Sequence, residues 1–167
     1  SSDLRERIYR ALDHLSTRQI HDIMEDFHTR VMVPRYRPAG IAELRRYEEE
    51  GVHVALVSAT FNQIAQAAME YLGCDVALAT VMERDAQGHF TGAVDGEVTE
   101  GPEKVVRIEA WADGAFGAGG WSLGYAYGDH YSDVPLLSAA GHGYAVNPGP
   151  TLKREAERRG WPILEWK

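Results

Sequence analysis

Cysteine is almost absent from this sequence: Cys74 is the only one among 167 residues. No internal disulfide can form, which excludes a disulfide-stapled secreted scaffold and points to a reducing cytoplasm. Positive charge is short as well, with 17 Lys and Arg against 25 Asp and Glu and a formal net charge of −8. That balance repels the phosphate backbone of nucleic acids and anionic lipid surfaces, so neither is an expected partner. No apolar run approaches the roughly 18 residues of a membrane span, and the opening Ser1-Ser2-Asp3-Leu4-Arg5-Glu6-Arg7 lacks the apolar block of a secretion signal. Internal repeats and low-complexity tracts are missing too. What remains, 44% hydrophobic and 25% charged residues, is the composition of one folded, water-soluble domain.

The front of the chain reads as helical. Leu4, Ile8, Ala11 and Leu12 recur at helical spacing between Asp3 and His14. Ser16-Thr17-Arg18-Gln19 then forms a capping box, after which Ile20, Ile23, Met24, Phe27 and Val31 are expected to line one helix face. Pro34 and Pro38 predict an extended hinge, because each removes an amide donor and biases its predecessor away from helix. A helix over Ala39–Glu50 closes at Gly51, and the period then changes. Val52–Val57 is a short apolar run of the kind buried on both faces in a parallel sheet, followed by a helix over Asn62–Leu72 and a strand over Val76–Ala79.

Arg84–Gly92 carries the turn residues of a hairpin. Pro102 opens a helix that is expected to end near Asp113-Gly114. Strands at Leu123–Tyr127, Tyr144–Val146 and Ile163–Trp166 alternate with helices at Val134–Ala140 and Leu152–Arg159. Alternation of this kind predicts an α/β fold with a mainly parallel sheet, residues 39–167 forming the core and residues 1–38 a helical lobe.

In such a sheet ligands bind at the carboxyl ends of the strands, so the residues that follow each strand carry the information. Ser58 and Thr60 place hydroxyls where a strand leads into a helix, a geometry suited to an anion, although taken alone Ser and Thr there read first as ordinary helix caps. Asp129 and Asp133, in Gly128-Asp129-His130-Tyr131-Ser132-Asp133, can converge on a hard divalent cation such as Mg²⁺, or can act as a turn residue and an N-cap. Lys104 stands in the first turn of a helix, where the helix dipole disfavours a cation; beside a bound phosphate or a carboxylate that placement has a use. His130 and His142 flank the same region without the Cys or Glu spacing of a zinc site, and the four Trp residues are read as core.

Ser58, Lys104, Gly128, Asp129 and Asp133 occur in one order with matching strand and helix contexts, and in that combination the sequence resembles the haloacid dehalogenase superfamily of phosphohydrolases. It is most similar to the phosphoserine-phosphatase-like branch that carries a helical cap, and Ala145-Val146-Asn147-Pro148 and Gly160-Trp161-Pro162 share that likeness. The resemblance runs from about Ser16 to Trp166. It implies a Rossmann-like three-layer core and a Mg²⁺-dependent phosphomonoesterase acting on a small phosphorylated metabolite, such as a phospho-amino acid or amino-alcohol phosphate. Ser58, Thr60, Lys104 and His130 would bind substrate, while Asp129 and Asp133 would hold the metal or, for Asp133, steady Lys104.

One family motif is missing. Asp-x-Asp, which supplies the nucleophile and the general acid from the end of a central first strand, occurs nowhere in the chain. The expectation is therefore that the chain is the remainder of a longer protein whose front carries that strand, between the strands ending at Ser58 and Tyr127. The literal alternative is a catalytically inactive phosphate-binding or regulatory domain. Ser132 stands where many relatives carry Asn.

Overall fold

The computed structural model describes residues 7 and 10–167, which group into two compact units. One joins the described residues up to Tyr36 with Leu44–Val98, and the other joins Arg37–Glu43 with Thr99–Lys167. The expected helix over Asp3–His14 falls largely outside the described residues.

In the first unit, α1 (Thr17–Phe27) starts on the capping box read from sequence: Gln19 N–H donates to Ser16 Oγ at 3.2 Å, and Ser16 N–H donates to Gln19 Oε1 at 2.8 Å. Its buried stripe differs from the expected one. Ile20, Met24 and His28 turn inward, while Ile23 and Phe27 stay 48% and 41% exposed. An apolar pattern passes over His28, yet the helical period of i, i+4, i+8 selects it. His28 then opens a π-helical turn (His28–Met32), followed by a 3₁₀ turn (Val33–Arg35) where the prolines predict extended chain. Pro34 lies in the first turn of that short helix, where no amide donor is needed, so only Tyr36, at ψ 132°, is extended.

Helix α2 (Pro38–Glu49) begins on Pro38 for the same reason. Strand β1 (Ala55–Phe61) starts later than its apolar run, because the Val54 amide goes to the Asp75 carboxylate at 2.7 Å. Helix α3 (Asn62–Leu72) closes on Gly73 at φ 76° and returns the chain to β2 (Val76–Thr80), which pairs with β1 in parallel. The hairpin read between Arg84 and Gly92 is β3 (Met82–Arg84) and β4 (Phe90–Val94), antiparallel. Leu12, Ile20, Met24, Phe61, Ile64, Met82 and Phe90 form one core beneath these elements. The helical front thus buries its apolar side on α3 and the hairpin, the hydrophobic effect requiring a partner for a stripe that a lone helix cannot cover.

The second unit contains α4 (Pro102–Phe116), β5 (Tyr125–Gly128), α5 (Val134–Ala139), β6 (His142–Val146), α6 (Pro150–Arg159) and β7 (Ile163–Leu164). α4 runs through Gly114, since a glycine late in a helix weakens it by about 1 kcal/mol without ending it. β5, β6 and β7 form a parallel sheet in that order, with Gly128 level with Ala145 and Val146 with Leu164. Leu137, Ala145, Leu152 and Ala156 are fully shielded between sheet and helices. At Gly143 a Cβ would come within 2.8 Å of the Leu137 carbonyl oxygen, so only glycine admits α5 this close.

The result is the expected α/β architecture with parallel strands. Among the described residues β1 pairs only with β2, and β5 only with β6, so each has one edge without a strand partner.

Candidate functional site

The clearest constellation lies at the carboxyl end of β5. Gly128 ends the strand, Asp129 and His130 turn the chain, a 3₁₀ turn covers Tyr131–Asp133, and α5 follows. Asp133 folds back beneath this turn and is 4% exposed. Its Oδ2 accepts the backbone N–H of Asp129 and of His130, each at 3.2 Å, and its Oδ1 accepts Lys104 Nζ at 2.5 Å. A Cβ on Gly128 would fall 2.6 Å from Asp133 Cβ, so the strand end has to be glycine for the carboxylate to occupy this place.

Lys104 reaches Asp133 from the first turn of α4, and both side chains are nearly buried, at 11% and 6%. Here is the reason for a cation at a helix start. The weak penalty from the helix dipole is outweighed by pairing with a desolvated carboxylate across 29 residues. The pair survives burial because the second carboxylate oxygen is also satisfied, by the two amides.

Asp129 is exposed, and none of the described residues engages its carboxylate. His130 instead turns inward along the chain: Ser132 N–H donates to its Nδ1 at 3.1 Å, and Ser132 Oγ lies 2.9 Å from the same nitrogen. With Nδ1 accepting, the neutral ring carries its proton on Nε2. An imidazole serving as an N-cap is not signalled by cap preferences, so the hydrogen bonds of Ser132 to His130 are not legible in sequence.

In the other unit, Ser58 and Thr60 lie inside β1 rather than after it, as the apolar run suggests. They occupy an irregular stretch in which β1 advances from Val57 to Phe61 while β2 advances only from Leu78 to Thr80. Bulges of this kind re-aim side chains at strand ends. Thr60 N–H donates to Ser58 Oγ at 3.2 Å, and the fully buried Thr80 hydroxyl donates to the Ala59 carbonyl at 2.9 Å, tying the bulge to β2. α3 follows this stretch directly, with no side-chain cap hydrogen bond at Phe61.

The carboxylates at this strand end bear on one hard cation, Mg²⁺. This ion takes one or two protein carboxylates and fills the rest of its shell with water and phosphate oxygens. Asp129 meets that requirement, whereas both oxygens of Asp133 are already engaged by Lys104 and the amides. Among the described residues no three His, Cys, Asp or Glu side chains converge on one point.

A second titratable cluster belongs to the first unit. Buried His28 shares a 2.8 Å hydrogen bond with the Tyr36 hydroxyl, and Tyr36 stacks on Tyr71 with ring centroids 5.6 Å apart. Burial pushes the Tyr36 phenol up from 10.0 to about 12, with Cys74 and Tyr71 adding to the rise. A phenol with a higher pKa folded than unfolded contributes stability that is fully present below pH 10 and lost as the pH rises through 12. The melting temperature should therefore fall more steeply across that window in the wild type than in Tyr36→Phe, and parallel thermal melts of the two proteins would measure the difference.

Comparison with known proteins matches residues 1–138 to the family model of haloacid dehalogenase-like hydrolases. An "inhibition of morphological differentiation protein" of Streptomyces azureus is 32% identical over 153 residues, covering 90% of this chain and 53% of that protein. A phosphoserine phosphatase of Mycobacterium tuberculosis is 36% identical over 121 residues, 71% of this chain and 38% of that protein. A crystal structure of a Bordetella pertussis protein, described as of unknown function, superposes with a TM-score of 0.85 at 29% identity, covering 96% of this chain and 72% of that one. The chain thus spans about half the length of the first of these relatives and less of the second.

Proposed function

Because the chain belongs to the haloacid dehalogenase-like hydrolase family, we propose that the protein is a Mg²⁺-dependent phosphomonoesterase for a small phosphorylated metabolite, a phosphoserine-like or amino-alcohol phosphate. One observation carries this reading: Asp133, buried, holds Lys104 and the Asp129–His130 turn while leaving the Asp129 carboxylate open. In the proposed site Asp129 holds the metal, and bound Mg²⁺ supplies charge compensation for the phosphoryl oxygens. In this reading Lys104 would neutralise the phosphoryl oxygens, Ser58 and Thr60 would donate hydrogen bonds to them, and His130 would offer its Nε2–H to the substrate. Asp133 acts through Lys104 and the two amides as a positioning residue.

The attacking carboxylate comes, in this reading, from a segment ahead of Ser1. Its oxygen would bond to phosphorus as the P–O ester bond breaks and the leaving oxygen takes a proton from the second aspartate of the same Asp-x-Asp motif; water, giving a proton back to that aspartate, would then attack phosphorus, release phosphate and restore the carboxylate. One feature supports such a segment: among the described residues β1 has a strand partner only in β2 and β5 only in β6, so each strand has an edge at which a further strand could pair. Residues 1–38 are read as a cap that selects the substrate and excludes water. The single thiol, Cys74, accords with a cytoplasmic setting, and no described helix is long and apolar enough to cross a membrane.

The lack of Asp-x-Asp favours a second reading, a phosphate-binding domain without turnover. Mass spectrometry of the intact protein, combined with phosphate release from a phosphometabolite panel that includes phosphoserine, separates the two. The enzyme reading expects Mg²⁺-dependent release that EDTA abolishes. No release from any phosphomonoester by the intact protein would overturn it.

A further inference from the structure

Resting on the metal role proposed for Asp129, we infer that Asn147 is a positioning residue for that aspartate, acting through Trp166 and Tyr127. Asn147 adopts φ +42°, and among the described residues only it and His14 hold positive φ without being glycine. It lies just past the carboxyl end of β6. The parallel register that sets Gly128 beside Ala145 brings Asn147 level with His130, one residue beyond Asp129. A non-glycine in the left-handed region at a strand rim is strained unless its surroundings hold it there.

What holds it is a closed bracket. Trp166 N–H donates to Asn147 Oδ1 at 3.0 Å, Asn147 Nδ2 donates to the Trp166 carbonyl at 3.1 Å, and Asn147 N–H donates to the Leu164 carbonyl at 2.8 Å. β7 supplies only two residues of ladder to β6, so the side chain of Asn147 extends the pairing where the strand has ended. Arg37 adds a donor to the same Trp166 carbonyl at 2.7 Å.

The bracket aims an indole. The Trp166 ring lies where a Cβ on Gly40 would be only 3.0 Å away, and it packs on Tyr127 with centroids 5.6 Å apart. Tyr127 also stacks on Tyr144 with centroids 4.8 Å apart, and its hydroxyl donates to Glu43 Oε1 at 3.1 Å. Tyr127 precedes Gly128 and Asp129 on the strand. A ring held by two aromatic neighbours and at its hydroxyl fixes the strand end from which the Asp129 turn departs, and Asp133 fixes the turn itself. Two independent restraints therefore converge on one carboxylate, as expected where a ligand has to be held in narrow geometry.

The test uses the intact protein, labelled with ¹⁵N and titrated with MgCl₂. Asn147→Gly keeps the left-handed backbone and removes the bracket; Asn147→Asp keeps the acceptor for Trp166 N–H. With Asn147→Gly the Mg²⁺ midpoint read from the Asp129 and His130 amide shifts should rise about tenfold, in the range found for indirect partners of metal ligands. Hydrogen exchange at those amides should quicken. Asn147→Asp replaces the Nδ2 donor with an oxygen against the Trp166 carbonyl, so it should raise the midpoint by a smaller but measurable factor, and that rise carries the test alone if the glycine variant does not fold. A lowered melting temperature with unchanged Mg²⁺ midpoint and unchanged exchange would overturn the inference. A wild-type protein whose Asp129 amide ignores Mg²⁺ would instead overturn the metal role itself, which the wild-type titration reveals before any variant is compared.

Discussion

Asp129→Asn in the intact protein is expected to lower Mg²⁺-dependent phosphate release by about a thousandfold, the equivalent of several kcal/mol of metal-supplied charge stabilisation at 1.36 kcal/mol per decade. The substitution preserves volume and removes only charge. Because Asp129 is exposed and its side chain bonds to none of the described residues, no native interaction of the fold is lost. The amide that Asp129 donates to Asp133 belongs to the backbone and survives. Thermal melts should therefore superimpose while turnover collapses. Assay at saturating phosphoserine across a Mg²⁺ series distinguishes this from weakened metal binding, since an excess of Mg²⁺ would restore a merely weakened site. Full activity in Asp129→Asn would remove this residue from the chemistry.

Asp133 should behave in the opposite way. Asp133→Ala leaves Lys104 buried without its counter-ion and two backbone amides without their acceptor, and the loss of one member of a buried pair is worth about 3–5 kcal/mol. Urea titration should show that drop as a lower midpoint. Replacing both partners with apolar side chains, Lys104→Met with Asp133→Leu, should recover much of the stability, because the desolvation of both charges disappears together. The double variant should still be inactive, since neither the ammonium nor the braced turn returns. If Asp133→Ala unfolds at the wild-type urea midpoint, the buried pair does not stabilise the fold as argued.

The two substitutions separate what is legible in sequence from what is not. Chain order and residue type place Lys104, Asp129 and Asp133 at the right ends of the right elements, because strand and helix periods are local properties. They leave open which acid faces the solvent and which is buried, as both lie in the same six-residue stretch. Burial is settled by the close approach of Gly128 to Asp133, a distance that no local pattern encodes. Ser58 shows a related shortfall. Its position at the end of an apolar run is evident, but its inclusion in an irregular stretch of β1 depends on pairing with β2, and Thr80 is needed to secure that stretch.

The bonding roles of His28 and of Asn147, the latter visible in sequence only as part of the family-like Ala145–Pro148 stretch, are not legible there for a common reason. Each is a polar residue whose use depends on a partner brought near by folding, Tyr36 for one and Trp166 for the other. Hydrophobic periodicity discards the first, and a loop residue before a proline looks unremarkable in the second case.

By itself the sequence determined the alternation of strands and helices, the capping box at Ser16, the glycine that closes α3, and the set of acids, lysine and hydroxyls available for chemistry. These follow from forces that act within a few residues of chain. Tertiary structure alone decided that Asp133 serves Lys104 and the turn while Asp129 stays open, that among the described residues β1 pairs only with β2 and β5 only with β6, and that Trp166 is bracketed against Tyr127. Each of those outcomes depends on desolvation, hydrogen bonding or ring packing between residues distant in the chain, and such interactions arise only once the backbone has been folded into place.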